Sequence, residues 1–341
     1  MTLKDIADKA GVSMMTVSNV INGKHNRVSE KTIEKVNAII KEYNYVPNLS
    51  ARTLTNKTSH IIAIILSSKS SGNMHPSVLE NPYVNTMVGT IEQELFKQGY
   101  YTMLHSVRNL EELEHFIKTW NIDGVILLYP DFIEDLENFT QKTNCSIAVF
   151  DSYLHHQNVI NVCSDDEKGL YLSTKYVIQK GHSHIAFVAD YEGNLLLTKR
   201  FNGYKRALNE YNIPFRPKYV FQYSPTYESG IEVGKKIASS LYPISAIVTT
   251  ADICAAGIIE GASINGLKLP TDLSIIGYDN LQICQFTSPK LTSISQNVRT
   301  KALTATQMLL EKIRTRHIPK ESNVMLDVEL VERQSVISIY K

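Results

Sequence analysis

Three short segments at the start of the chain carry apolar residues at helical spacing. Thr2 and Asp5 have the Ser/Thr-x-x-acid form of a capping box, which predicts a helix from near Leu3 with Ile6, Ala7 and Ala10 on one face. Gly11 ends it in the left-handed conformation. Val12 then turns inward, Ser13 caps a second helix that buries Val17, Val20 and Ile21, and Asn22-Gly23 stops that helix. After the basic loop Lys24-His25-Asn26-Arg27, Ser29 caps a third helix in which Ile33, Val36, Ile40 and Tyr43 recur. Two short helices joined by a Gly-containing turn form the helix-turn-helix pattern, whose second helix enters the major groove. The outward positions of that helix are Met14, Met15, Thr16, Ser18 and Asn19, and no acidic residue lies between Gly11 and Ser29. An ordinary solvated helix mixes acids and bases, whereas this face does not repel phosphate.

Tyr45-Val46-Pro47-Asn48-Leu49-Ser50-Ala51-Arg52-Thr53-Leu54 follows, then the polar linker Thr55 to Ser59. Pro47 suits the start of a helix, yet Pro47–Leu54 is too short to be stable alone in water. Such a segment folds when it gains a partner.

From Ile61 the periodicity changes. Apolar runs IIAIIL (61–66), GVILL (124–128), IAVFD (147–151), VINVC (159–163), IAFVAD (185–190), YVFQY (219–223), AIVTT (246–250) and SIIGYD (274–279) read as strands. Between them the pattern predicts helices over Val84–Lys97, Leu110–Thr119, Glu167–Lys180, Lys199–Tyr211, Tyr227–Leu241 and Ala255–Ile264, with a last one over Val298–Ile313. Apolar strands separated by helices imply parallel sheets of βαβ units. With the closing stretch Val324–Val331 these make nine or so strands, too many for one compact sheet at this length, so two doubly wound subdomains are expected.

Composition adds limits. A chain of 341 residues, 43% hydrophobic and 20% charged, has room for two or three domains and is neither disordered nor membrane-spanning in character. Its net charge of +1 hides an asymmetry: residues 1–60 hold nine Lys/Arg against five Asp/Glu, and the remainder 26 against 29. A basic head of +4 on a body of −3 suits nucleic-acid binding confined to one end. MTLKDIADKA lacks the apolar stretch of a secretory signal, and no run approaches the ~20 apolar residues of a membrane helix. Cys145, Cys163, Cys254 and Cys284 lie far apart with no C-x-x-C pair, which predicts reduced, mostly buried thiols in a cytoplasmic protein.

The stretch from Leu3 to Leu54 closely resembles the headpiece of the LacI/GalR family of bacterial transcriptional repressors. The matching residues are LKDIA, AGVS, TVS, VSEKT, and YVPN with Ala51, Arg52 and Leu54, and the rest of the chain agrees with them. The resemblance implies a small all-α helix-turn-helix domain, 1–46, and a hinge helix with linker, 47–59. It implies an effector-binding and dimerisation domain over 60–341, made of two doubly wound parallel-sheet α/β lobes of the periplasmic-binding-protein-like kind. The chain should cross between lobes near Ser164, Thr292 and Asn323, giving a first lobe of about 60–163 and 293–322 and a second of about 164–292 and 323–341.

At DNA, Met14, Met15 and Asn19 should face the groove. Asn bonds bidentately to adenine and apolar side chains touch the thymine methyl, which predicts A·T-leaning outer half-sites. Many relatives carry hydrogen-bonding residues where Met14 and Met15 stand, and Arg where Asn19 stands, so their base preferences do not transfer. Phosphate contacts should come from Ser13, Thr16, Asn22, Arg27, Ser29, Tyr45 and Asn48, which hold register without reading sequence. The family counterpart of Leu54 wedges into a central minor-groove step and bends the duplex. Hinge helices from two subunits must meet there, so a homodimer on a near-palindrome is expected.

Ligands of open α/β lobes bind outside the carboxyl ends of the strands. That rule selects Asp151, Asp190, Asp252 and Asp279 at or after strand ends, Arg200 on the helix after IAFVAD, and Gln296 after LTSIS. An Arg fork with carboxylates and an amide suits a sugar-like small molecule. Arg200, Asp279 and Gln296 match family positions that touch the effector. Three departures bear on a hexose pocket of the common kind: Ala251 stands where the family often has Asn, Pro225 where an aromatic often stacks, and the loop from Ser67 to Glu80 is longer than usual. Tyr83, Phe221 or Tyr223 is the candidate replacement stacking face. Some relatives answer to a phosphorylated carrier protein instead, which makes a phosphocarrier the alternative partner.

An enzyme is the rival class, yet no G-x-S-x-G, no G-x-x-x-x-G-K-[ST] and no G-x-G-x-x-G after a strand is present. No catalytic residue and no cofactor is expected. His155-His156 and His182-Ser183-His184 lack further ligands at metal spacing, so no metal is expected either. A secreted sugar receptor would share the lobes but lack the basic headpiece.

Overall fold

In the computed structural model, residues 1–341 are described except 22, 24, 46–57, 68–77, 129–135, 144, 154–157 and 341. They fall into two units, Met1–His60 and Ile61–Lys341.

The first unit is three helices, α1 (Leu3–Ala10), α2 (Met14–Ile21) and α3 (Glu30–Glu42). Local chemistry sets their ends. Thr2 Oγ1 accepts from Asp5 N while the Asp5 carboxylate accepts from Thr2 N at 2.7 Å, so two otherwise unpaired donors are satisfied. Gly11, at φ 67°, supplies the left-handed turn that a side chain would resist. Ser13 Oγ accepts from Thr16 N and Ser29 Oγ from Thr32 N, which starts the other two helices. Ile6, Ala7, Ala10, Val17, Val20, Val36 and Ile39 close a single apolar core. Burial of each larger side chain contributes roughly 1.5–3 kcal/mol, which offsets the entropy of ordering so small a unit.

The second unit holds two six-stranded sheets. The first uses β1 (Ile61–Ser67), β2 (Tyr101–Val107), β3 (Gly124–Leu128), β4 (Ser146–Phe150), β5 (Val159–Ser164) and β11 (Asn323–Leu326), in the order β11-β5-β4-β3-β1-β2. Every pairing in it is parallel. Helices α4 (Pro82–Lys97), α5 (Leu110–Trp120) and α6 (Leu136–Thr143) connect its strands. The second sheet uses β6 (Ile185–Val188), β7 (Val220–Phe221), β8 (Ala246–Thr249), β9 (Ser274–Asp279), β10 (Thr292–Ser295) and β12 (Glu329–Val331), in the order β12-β10-β9-β8-β6-β7. Its helices are α7 (Asp166–Gln179), α8 (Leu195–Glu210), α9 (Tyr227–Ala238) and α10 (Asp252–Ile264), and β12 alone runs antiparallel. β3 and β9 are buried along their whole length, as continuous apolar runs in two-faced sheets must be. The last long helix, α11 (Val298–Thr315), returns to the first lobe, where Val298, Ala302, Ala305, Leu309 and Leu310 pack against Ile62, Ile64 and Met87.

The crossings differ from those expected by a few residues. Thr292–Ser295 remains in the second sheet, paired with Ile276–Asp279, so that passage falls at Gln296 and Asn297. Asn323–Leu326 still pairs with β5 of the first sheet, which moves the third passage to Asp327 and Val328. Each ladder runs to the end of its partner strand before the chain departs. β2 and α6 complete the first lobe without a counterpart among the elements expected from the sequence, β11 takes into the first lobe the start of a stretch, Val324–Val331, expected wholly in the second, and YVFQY is shortened to two strand residues.

Candidate functional site

On α2, the buried side chains are Val17 and Val20, and the opposite face is open: Met14 is 51% and Met15 70% exposed. Methionines so exposed, beside a core already filled, are not packing residues. Thr16 and Asn19 are half-buried on the same helix, and Arg27 and Ser29 are exposed in the segment leading to α3. Ser13 Oγ lies 2.9 Å from Thr16 Oγ1, and Ser29 Oγ 2.8 Å from Thr32 Oγ1, so each cap also presents a pair of hydroxyls. Tyr45 packs against the edge of the three-helix core. Asn22, Asn48 and Leu54 lie outside the described residues. The face therefore offers a flexible apolar centre flanked by hydroxyls and a cation, the composition a groove reader with phosphate contacts requires.

In the second unit, four sequence candidates meet where the crossings pass between the lobes. Asp151, just past β4 at φ 52°, holds Lys301 of α11: Lys301 Nζ donates to its two oxygens at 2.6 and 2.5 Å. Ser164 N donates to the same carboxylate at 3.1 Å. Lys301 also donates to Gln296 Oε1 at 3.0 Å, and Ser164 Oγ donates to that oxygen at 3.2 Å. Gln296 Nε2 in turn donates to Asp279 Oδ1 at the end of β9. The path Asp151–Lys301–Gln296–Asp279 thus runs from the first lobe through a crossing into the second.

Arg200 anchors the other side. Its Nε donates to Asp166 Oδ1 at 2.7 Å, its Nη1 to Thr250 O at 2.6 Å, and its guanidinium stacks 3.7 Å from the Tyr278 ring centre. Tyr278 Oη donates to Asp166 Oδ1 at 2.9 Å, and Tyr153, reaching across from the first lobe, donates to Asp166 Oδ2 and lies 3.0 Å from Ser164 O. Gly169 permits this stack, because a Cβ there would sit 2.6 Å from Tyr278 Oη. Tyr83 is buried at the start of α4, its ring centre 5.9 Å from Lys301 Nζ.

Burial dominates the electrostatics. It pushes the carboxyls of Asp279 and Asp151 above the usual aspartate range, with Asp252 adding to the effect on Asp279 and Lys301 opposing it at Asp151. Burial together with the neighbouring carboxylates raises the phenol of Tyr83. The Arg200 guanidinium is penalised by burial, yet Asp166 more than compensates and holds it charged.

The remaining candidates sit apart from this bonded network. Asp190 is exposed at the end of β6, and Phe221 packs with the apolar cluster on the α9–α10 side of the second sheet. Asp252 is buried and accepts from Leu281 N at 2.7 Å and Ser293 Oγ at 2.6 Å, fastening α10 to the ends of β9 and β10. Sequence reasoning missed Lys301, Asp166, Tyr153, Ser164 and Tyr278. Among the described residues no group of three or more His, Cys, Asp or Glu is arranged to hold a metal, the four cysteines are free and buried, and no helix is long and apolar enough to cross a membrane.

A three-helix reader with an open α2, joined in one chain to a two-lobed α/β body with a polar cluster at the lobe crossings, defines a DNA-binding transcriptional regulator. Residues 2–48 match the family described as bacterial regulatory proteins, lacI family, and residues 174–336 match a periplasmic binding protein-like domain. The chain is 32% identical to the HTH-type transcriptional repressor PurR of Actinobacillus pleuropneumoniae serotype 3 (strain JL03), over 100% of this chain and 99% of that one. Its structure is similar to the lac repressor dimer bound to operator and the anti-inducer ONPF, with 26% identity, a TM-score of 0.81 and 99% of each chain covered. It is also similar to a LacI family transcriptional regulator from Enterococcus faecium with bound ribose, at 25% identity and a TM-score of 0.69, over 82% of this chain and 100% of that one. The chain belongs to the LacI family of bacterial transcriptional repressors.

Proposed function

We propose that this repressor grips a near-palindromic operator as a homodimer and that a sugar-like small molecule in the interlobe cleft adjusts the grip. The observation that carries the reading is the acid-free, open face of α2, with Met14 and Met15 exposed over a filled core. Met14, Met15 and Asn19 read base edges, and Ser13, Thr16, Asn22, Arg27, Ser29, Tyr45 and Asn48 hold phosphates. Leu54 wedges the central step.

The convergence of Arg200, Asp279, Gln296 and Asp151 at the crossings supports a cleft that senses a ligand. The bound ribose and ONPF of the structural relatives support a small molecule over a protein partner. Coupling is mechanical: a ligand that prefers one lobe angle shifts the spacing of the two hinge segments, by no more than its differential affinity for the two states.

The decisive experiment is sequencing of DNA fragments selected by the purified protein, followed by titration of the selected site with and without a sugar and nucleoside panel. Recovery of a symmetric site whose affinity changes with one panel member supports the reading. Binding no tighter than to random competitor at moderate salt sinks it.

A further inference from the structure

We infer that Met14 and Met15 form an oxidation-sensitive site, at which a two-electron oxidant of the hypohalous acid or peroxide class converts both thioethers to sulfoxides and weakens the hold on the operator. The inference rests on the reading of α2 as the helix that enters the groove and adds a regulation to that face.

Exposure sorts the sulfur atoms of the chain. Cys145, Cys163, Cys254 and Cys284 are free and buried. Burial pushes the thiols of Cys145, Cys163 and Cys254 up to about 12 and raises that of Cys284 as well, so none presents the thiolate that oxidants attack first. Met87 is buried in the first lobe, and Met103 and Met308 are half-buried. Among the described residues, Met14 and Met15 are the adjacent methionines in the open, since Met1 and Met325, also exposed, each stand alone in sequence. They open α2 beside a core that does not use them: Ile6, Val17, Val20 and Val36 fill the three-helix unit, and no methionine belongs to that cluster. A sulfoxide can therefore form at either position without opening a cavity or burying a polar atom in the fold.

With hypochlorous acid the step balances. The thioether sulfur donates a lone pair to the oxygen of HOCl, the S–O bond forms as the O–Cl bond breaks, and sulfur loses two electrons. Chloride leaves and the proton passes to water. A flexible apolar side chain becomes a polar one with a strong acceptor oxygen. Against a thymine methyl that oxygen gives up its water and finds no donor, so the contact that favours A·T pairs becomes a cost. Methionine sulfoxide reductases, one for each epimer, reverse the change by taking the oxygen off as water while two thiols are oxidised to a disulfide.

The test treats the full-length protein with hypochlorous acid, quenches with free methionine, maps the sulfoxides by peptide mass and measures affinity for a selected site by fluorescence anisotropy. Protein carrying sulfoxide at both Met14 and Met15 should bind at least about tenfold more weakly, the factor that an unpaired acceptor at an interface costs. Its thermal melt should match that of the untreated protein, and the two reductases with thiol, but not thiol alone, should restore its affinity. The double variant Met14→Leu/Met15→Leu, apolar without sulfur, should keep its own affinity after the same dose. If that variant binds no site before treatment, restoration of the parent by the reductases decides the matter. Unchanged affinity with both sulfoxides in place overturns the inference and leaves the DNA reading standing, as does a double variant that loses as much affinity as the parent. Untreated protein that holds no duplex above random competitor overturns the DNA reading itself, and this inference with it.

Discussion

Lys301 and Asp151, 150 residues apart in the chain, form an ion pair whose ammonium is fully buried and whose carboxylate side chain is 8% exposed. The pair joins the last long helix to the end of a central strand, beside the crossing through Gln296. A buried pair adds little over an apolar replacement of both partners, but removing one partner leaves the other uncompensated.

Lys301→Met should therefore lower unfolding stability by about 3–5 kcal/mol, and adding Asp151→Asn should recover part of that loss. Urea unfolding followed by circular dichroism gives both numbers. If the single variant costs no more than an exposed substitution, the carboxylate has found another partner and the pair does not hold the crossing.

Asp252 gives a pH signature. Burial raises its carboxyl to about 6, while its bonds from Ser293 Oγ and Leu281 N oppose the rise. A raised value means that the folded state binds the proton more tightly than the unfolded chain. The resulting stability is complete below about pH 4 and is lost as pH rises through about 6. The stability of the parent minus that of Asp252→Asn should fall by roughly 3 kcal/mol between those limits, because a tenfold difference in proton affinity is worth about 1.4 kcal/mol. A difference that stays flat across the window would mean that Asp252 remains ionised throughout.

On the DNA side, Met15→Glu places a carboxylate on the exposed face of α2 that the proposed reading sets into the groove, between the two phosphate chains. Operator affinity should drop by about 100-fold or more, since a like charge at an interface costs several kcal/mol. The melting of the three-helix unit should stay within the roughly ±0.5 kcal/mol typical of surface changes. Fluorescence anisotropy on a selected site, read beside the melt, separates the two effects. Equal binding by parent and variant would remove α2 from the interface.

Leu54→Ala tests the hinge. The variant should bend its site less and bind it about tenfold or more weakly, because an unstacked step is repaid by the contacts that bending permits. Circular-permutation gel shifts measure the bend directly. Unchanged bending and affinity would discard the wedge while sparing the groove contacts.

The helical headpiece was legible because its signals are local. Caps at Thr2, Ser13 and Ser29 and the turn at Gly11 depend on neighbours three or four residues away. Strands buried on both faces were equally plain. β2 was not, since it is an edge strand with four exposed residues and an interrupted apolar pattern. The cluster was half legible. Strand ends announce Asp151 and Asp279, but a helical lysine reads by default as a solvated charge. The signal for Lys301 was its position within the apolar stripe Val298, Ala302 and Ala305. Asp166 likewise shares the buried face of Gly169, Leu170 and Ser173. Their partners, Asp151 and Arg200, lie far off in sequence, so pattern alone could not pair them.

The bare backbone at Gly169 has a consequence for inheritance. A single added methyl at that point would push the Tyr278 ring off the guanidinium and loosen Asp166 at the same time. Under the proposed effector reading, ligand preference is held partly by a buried position on α7 that carries no side chain, and a mutational search restricted to the cleft lining would pass it by.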